Sequence, residues 1–290
     1  MGWLGALALT SLPRYRPKGL PWLNDKRRAI WDDLIRARCQ PVYVGDDKVL
    51  CTVLGRFKMY LDSRDLSIAP HLMKDGYWEI WVTEVLASLL RRRMVVADIG
   101  ANHGYFTMVM AEKCQAGHVH AFEPNPRIAE LLRRNITVNG FDGRVTWYGD
   151  PLADEDGRDL HFVVDEQMSG GGHLVPENAI AGRQSLALHT RRLDQIAGAA
   201  DAEVVKIDAE GSEPIIWRGM AGMIAGTKLH IILLEFAPVR YPDPAAFLAE
   251  LTSAGFSLSH IDGYYGIVPI TPADLLNDRS RLEWMLLLRR

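Results

Sequence analysis

The stretch Val95-Val-Ala-Asp98-Ile-Gly100-Ala-Asn102-His-Gly104-Tyr105 decides the fold. A run that is apolar on both faces meets a glycine-punctuated turn and passes into a helix. That is how a central parallel strand covered by helices reads, and ligands of open α/β sheets bind at the carboxyl ends of such strands. Gly100 permits a tight turn, and Gly104 permits close approach of the following helix to a ligand or a strand. The dinucleotide fingerprint G-x-G-x-x-G is not matched. Asn102 stands where its second glycine would approach a pyrophosphate, which weakens a diphosphate cradle.

Outward from this turn, short apolar runs alternate with amphipathic stretches. Strands are expected at 94–98, 119–122, 145–148, 160–164, 204–208, 229–235, 256–260 and 284–288, and helices at 105–114, 127–138, 213–224 and 244–254. Alternation of this kind implies βαβ units and a doubly wound, Rossmann-like α/β sheet. Nineteen residues past Gly104 comes Glu123, in Ala121-Phe-Glu-Pro-Asn125. A carboxylate at that strand end accepts hydrogen bonds from ribose hydroxyls and repels a 2′-phosphate. S-adenosylmethionine fits, having a ribose and no phosphates, with an amino-acid end that can meet Asp98 and backbone N–H groups. Asp150, after the third strand, reads either as an acceptor for the adenine amino group or as part of an ordinary Gly-Asp-Pro turn.

Three blocks then carry a family resemblance: Asp98-Ile-Gly-Ala-Asn-His-Gly-Tyr105, Phe122-Glu-Pro-Asn-Pro126 and Val205-Lys-Ile-Asp-Ala-Glu-Gly-Ser-Glu213. They resemble, in order and spacing, the signature blocks of the FkbM family of S-adenosylmethionine-dependent methyltransferases, over residues 94–240. The resemblance implies a class I methyltransferase sheet of seven strands with an antiparallel last strand. It also implies O-methylation of hydroxyls on sugars, glycolipids or polyketide-like metabolites. His103 departs from the aliphatic residue of many relatives.

Methyl transfer to a hydroxyl is an in-line displacement that also needs proton removal, by a positioned base or a bound metal. Asp208 ends the fourth core strand and Glu235 the fifth. Parallel neighbours lie about 4.8 Å apart, so the two carboxylates are expected to meet across the cofactor cleft. They then either share a divalent cation or, through mutual repulsion, make one of the pair a base. Lys206 shares the face of Asp208 by strand alternation. Glu210 and Glu213 read as caps of the helix that begins near Pro214, and Glu213 is assigned that structural role. His103 is a further candidate base, or a residue that hydrogen-bonds and packs within the loop. The expected cofactor ligands are therefore Asp98, Gly100, Asn102, Gly104, Glu123 and Asp150, and the expected catalytic residues are Asp208, Glu235 and His103.

Composition sets the outer bounds. The 290 residues carry 33 Lys+Arg against 36 Asp+Glu, a net charge of −3, which argues against a dedicated nucleic-acid binder. With 48% hydrophobic residues the chain is of globular type. Three scattered cysteines suit a reducing, cytoplasmic setting rather than a disulfide framework. Met1–Pro13 is an apolar run too short to span a bilayer. With Arg14, Arg16 and Lys18 following, it either touches a membrane surface, packs on its own domain or frays.

Residues 1–93 read as an α+β accessory cap, with a helix at 25–38, short strands at 42–44, 49–53 and 57–61, and a helix at 79–92. The methyltransferase domain is expected at 94–290. Gln167–Thr190, containing Gly170-Gly-Gly172, reads as a mobile loop. Tyr264-Tyr265, in a glycine-flanked turn, is the aromatic pair best suited to an acceptor pocket. The function these features favour is O-methylation of a saccharide, glycolipid or glycosylated metabolite. The alternatives are a nicotinamide-dependent oxidoreductase and a non-catalytic adenosyl-ligand-binding protein. No feature forces an oligomeric state.

Overall fold

The computed structural model describes residue 15 and residues 28–165, 167–175, 180, 184–278 and 280–290. The apolar run Met1–Pro13, the basic residues after it and the start of the expected helix at 25–38 lie outside the described residues. Among the described residues no helix is long and apolar enough to cross a membrane.

The chain enters through helix α1 (Arg28–Cys39) and an antiparallel meander of β1 (Val42–Gly45), β2 (Lys48–Val53) and β3 (Phe57–Asp62). Both hairpins turn where two successive residues adopt positive φ, Asp46–Asp47 and Leu54–Gly55. Such turns match the right-handed twist of paired strands. Helices α2 (Ala69–Asp75) and α3 (Ile80–Leu89) lead into β4 (Val95–Ile99).

There follow α4 (Tyr105–Lys113), β5 (His118–Phe122), α5 (Pro126–Val138) and β6 (Val145–Tyr148). After an insertion come β10 (Val204–Ile207), α6 (Glu213–Arg218), α7 (Ala221–Ala225), β11 (Ile231–Phe236) and α8 (Pro244–Ser253). The chain closes with β12 (Ser257–Asp262), β13 (Gly266–Pro269), α9 (Pro272–Asn277) and β14 (Trp284–Arg289).

The central sheet has the order β13-β12-β14-β11-β10-β4-β5-β6. Strands β6, β5, β4, β10 and β11 run parallel, and β14 is antiparallel between β11 and β12. This is the doubly wound class I methyltransferase sheet that was expected, with β13 added as an eighth strand hairpinned onto β12. The order reverses between β4 and β10, so a ligand crevice opens at their carboxyl ends. One sheet face is covered by α3, α4 and α5, whose core includes Val85, Met108 and Leu132. The other packs on α6, α7 and α8, with Trp217, Met223 and Leu248 against Ile207 and Leu234.

The meander shares the first of these cores, since Val53, Met59 and Leu61 lie in one apolar cluster with Met108 and Leu132. Its open edge, β3, is closed by side chains of α5. Asn135 accepts the Tyr60 N–H (2.6 Å) and donates to the Tyr60 carbonyl (3.0 Å). Asn139, one turn on, does the same at Lys58 (3.1 and 2.7 Å). Two amides at i and i+4 thus stand in for a neighbouring strand on a sheet edge.

Three expectations are corrected. The apolar run at 160–164 is not a strand of the central sheet. As β7 (Asp159–Val163) it forms a separate antiparallel sheet with β8 (His173–Val175) and β9 (Ser185–His189). The expected loop at 167–190 accordingly contains two strands, which its glycines concealed. The helix expected at 213–224 is two helices, broken around Gly219. There the backbone runs so close to Ala153 that a Cβ would stand 2.0 Å from the Ala153 carbonyl oxygen.

Asn135 also donates to the His103 carbonyl (2.8 Å) and is fully buried. Asn135→Ala strands three backbone groups at once. It is expected to cost about 2–4 kcal/mol, read as a lowered urea midpoint with an unchanged slope. A loss below about 0.5 kcal/mol would mean that water replaces the amide at no cost.

Candidate active site

The strand ends at the crevice are held together by main chain. Gly100 N–H and Ala101 N–H both donate to the Phe122 carbonyl (3.0 and 2.9 Å), and Asp208 N–H donates to the Ile99 carbonyl (3.1 Å). Gly100, with φ +74°, passes so near β10 that a Cβ there would lie 1.7 Å from the Asp208 carbonyl oxygen. The need for glycine at 100 is therefore set by the neighbouring strand end. Gly104 (φ +91°) is set by helix packing, since a Cβ there would meet Leu132 at 2.6 Å.

Glu123 is buried at the end of β5. Its Oε2 accepts the Asn102 N–H (2.8 Å) and its Oε1 the Asn125 N–H (2.9 Å). Burial pushes its carboxyl up to about 7 although those two N–H groups favour the charged form. Asp98 is fully buried. Its Oδ2 accepts the Thr107 hydroxyl (2.5 Å), while Oδ1 has no hydrogen-bond partner among the described residues. Burial raises the Asp98 carboxyl above its usual range against the pull of Lys206. Asp150 lies further out, half-exposed, with Arg191 3.6 Å away.

A crevice with about 670 Å³ of empty space, open solvent included, runs past Glu123 and Asp150. Gly100, Asn102, Glu123, Asp150, Asp208 and Glu210 line one wall. Phe162, Ser169, Gly170, His173 and Leu174 of the inserted sheet line the other, with Ile68. Asp65 stitches that wall in place. It accepts hydrogen bonds from the backbone N–H groups of Ser67, Ile68, Ala69 and Ser169 and from the Ser67 hydroxyl. Burial opposes the charge of Asp65, but these bonds hold its carboxyl at about 2.

Asp208, Glu210 and Glu235 converge, each offering an oxygen within 4.8 Å of the others. Lys206, buried, donates to Asp208 Oδ2 (2.9 Å) and sits 4.8 Å from the centre of the Phe106 ring. Arg240 joins the rest, 2.9 Å from Glu210, 2.9 Å from Glu235 and 2.5 Å from Glu283. Burial, then the Asp208 charge, pushes Glu210 up to about 8 and Glu235 up to about 10. The three carboxylates offer the hard oxygens a divalent cation needs, yet guanidinium and ammonium groups of the chain already stand among them. Glu213 closes the turn before α6, accepting the Ala209 and Gly211 N–H groups (2.7 and 2.9 Å).

His103 is placed elsewhere. It is buried on the meander side, Nε2 accepts the Asp62 N–H (3.2 Å), and it does not line the cavity. Burial drops its imidazole to about 4. This geometry is that of a packing and hydrogen-bonding residue and does not bring it to an acceptor. Sequence reasoning missed Arg240, Glu283, Glu79 and the inserted-sheet wall. No motif marks them, because each reaches the site through tertiary folding. A backbone signature does exist: Asn102 and Glu210, both lining the crevice, are non-glycine residues with φ of +51° and +52°. Such strain gathers at functional sites.

Residues 98–258 match the family described as the Methyltransferase FkbM domain, more than half of the chain. The chain belongs to this family of S-adenosylmethionine-dependent methyltransferases. Part of the antimetabolite synthetase AmbE of Pseudomonas aeruginosa is 29% identical over 196 residues, which is 55% of this chain and 9% of that protein. The protein-L-isoaspartate O-methyltransferase of Hyperthermus butylicus is 38% identical over 65 residues, 20% of this chain and 27% of that one. The chain thus spans about a tenth to a quarter of the length of the curated relatives it matches. Among solved structures, the methyltransferase FkbM of Methylobacillus flagellatus KT aligns at a TM-score of 0.45 and 17% identity, covering 70% of this chain and 45% of that one.

The raised carboxyls set a pH dependence. His103 and His120, near 4 in the fold, pull the other way only up to about pH 7.5, above which the unfolded chain has given up their protons as well. Glu210 and Glu235 still hold protons there that the unfolded chain has given up near 4.5. Their contribution, fully present below 4.5, is lost as pH rises through their folded values. The melting temperature of the ligand-free protein is expected to fall from about pH 7.5 to 9.5, at about 1.4 kcal/mol per pH unit for each proton retained. Glu210→Gln should flatten that slope. A melting temperature rising over this range would contradict the assignment.

Proposed function

We propose that the protein transfers the methyl group of S-adenosylmethionine to a hydroxyl of a saccharide, glycolipid or glycosylated metabolite, with Asp208 as the base. The observation that carries this reading is the setting of Asp208. It lines the cavity, Lys206 fixes its Oδ2, and Oδ1 takes no hydrogen bond from the described residues. A carboxylate so oriented can accept a hydroxyl proton as the oxygen becomes a nucleophile.

The bound donor supplies an electrophilic methyl on a sulfonium. Glu123 accepts from the ribose hydroxyls, Asp98 faces the amino-acid end, Gly100, Asn102 and Gly104 shape the loop, and Asp150 lies on the adenine side. These groups act by alignment, which provides most of the rate in an in-line displacement. Glu235 takes part through Arg240, which holds Glu210, Glu235 and Glu283 together. In this reading Arg240 and Lys206 supply the positive charge that a divalent cation would otherwise bring.

The acceptor side is supported by aromatic surface. Tyr264 and Tyr265 stand at the carboxyl end of β12, on the same sheet edge as Asp208, with exposures of 78% and 83%. Asp262 accepts both of their N–H groups (2.8 and 2.9 Å) and pairs with Arg281 (3.0 Å), which holds the hairpin. Exposed aromatic faces on that edge suit sugar rings. Residues 1–93 act in this reading as a cap framing the crevice, and residues 94–290 as the methyltransferase domain. The net charge of −3 and the acidic crevice favour small-molecule or glycan acceptors over nucleic acid. Three buried free cysteines suit a cytoplasmic setting.

The test is transfer of labelled methyl from S-adenosylmethionine to a panel of saccharides and glycosylated metabolites. Label is expected in an alkali-stable methyl ether. Asp208→Asn should lower kcat by about 10²–10⁴-fold with donor affinity changed only a few-fold. Label released by base as methanol, or found on nitrogen, overturns the hydroxyl reading, and full turnover by Asp208→Asn overturns the base. Activity is expected to persist in EDTA. Loss restored by Mg²⁺ would show that a cation displaces Arg240.

A further inference from the structure

The four most exposed large apolar side chains among the described residues stand in one place. They are Tyr265, Tyr264, Val239 (72%) and Leu282 (65%). Val239 follows β11, the tyrosines follow β12 and Leu282 precedes the antiparallel β14, so all four lie at the sheet edge where the crevice opens. A chain of ion pairs threads between them. Arg281 bonds Asp262 (3.0 Å), which also accepts the N–H groups of both tyrosines. Glu283, beside Leu282 in sequence, meets Arg240 (2.5 Å), beside Val239. Arg240 in turn reaches Glu210 (2.9 Å), which lines the cavity.

The facing wall repeats the pattern. Leu66 and Met168 are exposed, and the Leu66 N–H donates to the Gln167 carbonyl (2.7 Å). Two residues past Met168, Gly170 lies against Glu210, where an added Cβ would stand 3.3 Å from Oε1. Apolar loop tips thus frame the mouth around Glu210 on both sides. Exposed apolar groups gathered in this way mark a contact surface.

The surface fits lipid better than protein. Loop tips separated by ion pairs offer no continuous apolar face for the packed core of a protein interface. Entering a lipid surface one by one, they need no shape-matched partner, and tyrosine favours the boundary between headgroups and acyl chains. Charge points the same way. Each arginine is met by carboxylates, and burial raises the Glu210 and Glu235 carboxyls, so the rim carries no strong charge for an anionic surface to read. The chain that follows the apolar run Met1–Pro13 enters the described residues at Tyr15, whose ring contacts Trp31 and whose hydroxyl donates to Glu84 of α3. One turn earlier on α3, Trp81 lies against the tyrosine hairpin, where a Cβ on Gly263 would meet its ring at 3.6 Å.

We propose that the mouth of the crevice docks on a neutral lipid surface through Val239, Leu282, Tyr264 and Tyr265. The inference rests on the methyl-transfer reading above and narrows its acceptors to hydroxyls carried by lipids, whose apolar chains stay on the rim while the headgroup enters toward Asp208. The ion pairs between the loop tips then lie at headgroup level, where water still reaches them.

The experiment is co-sedimentation of the full chain with phosphatidylcholine vesicles, beside calorimetric titration with S-adenosylhomocysteine. It compares wild type with Val239→Ser/Leu282→Ser and with Val42→Ser/Val44→Ser, whose apolar side chains are exposed on β1, away from the crevice. Wild type is expected to sediment with the vesicles. The rim variant should bind them about 10-fold more weakly or worse, the β1 variant within about twofold of wild type, and Leu282→Ser alone in between. Donor-site affinity should agree within about twofold for all, which reports intact folding. Wild type left in the supernatant, or unchanged sedimentation of the rim variant, would overturn the proposal. So would equal losses in both double variants, or binding confined to anionic vesicles and reversed by salt. Self-association of wild type that the rim variant abolishes would assign the surface to a second copy and overturn the lipid. Wild type that fails to bind S-adenosylhomocysteine would overturn the methyl-transfer reading and leave the vesicle result to decide the docking.

Discussion

Everything at the crevice depends on how closely the backbone of Gly100 passes the end of β10. The strand ladder continues one step past β4, through Asp208 N–H to Ile99, and a side chain at residue 100 would overlap the Asp208 carbonyl. On its other side the same turn hangs from Phe122 by two N–H groups. Three neighbouring strand ends are thus locked by main chain alone, and Glu123, Asp98 and Asp208 take their positions from that lock. Placement by backbone is rigid, which is what alignment-driven chemistry requires.

The lock brings like charges together, and the fold answers in two ways. Lys206 and Arg240 are drawn in among the carboxylates. Burial and the Asp208 charge nonetheless raise the carboxyls of Glu210 and Glu235. The site consequently holds a reserve of negative charge that a cationic ligand can call up, since opposite charge nearby favours the ionised form. The left-handed residues Asn102 and Glu210 show that the backbone too is held away from its preferred conformations here. Over-determination by packing around them maintains that strain.

Two parts outside the core sheet pack beside it. The N-terminal meander is joined to α5 by asparagine amides that mimic a strand, and its end reaches Arg127 through Asp62. The inserted β7–β9 sheet supplies the far wall of the cavity. Asp65 ties the two together, accepting N–H groups from both Ala69 and Ser169, while Ser169 reaches Asn102 of the cofactor loop (3.2 Å). Both segments lie outside the sheet, the meander packed on it through a shared apolar core and both tied to the crevice by buried polar contacts.

Much of this was legible along the chain. The alternation of apolar runs with helical stretches sets the parallel sheet, because that pattern has only one way to bury both strand faces. The spacing from Gly100 to Glu123 and the block around Lys206–Glu213 mark the crevice, because backbone turns and strand ends impose residue types locally. The insertion was misread because its strands are short, are interrupted by Gly170-Gly-Gly172, and pair only with one another among the described residues. His103 was ambiguous because its neighbour Asp62 lies 41 residues away. Arg240 among the acids, the burial of Asp98 and the raised carboxyl of Glu235 were decided by tertiary structure alone. Charge and burial act through space between segments far apart in sequence, and no local pattern records which of them will meet.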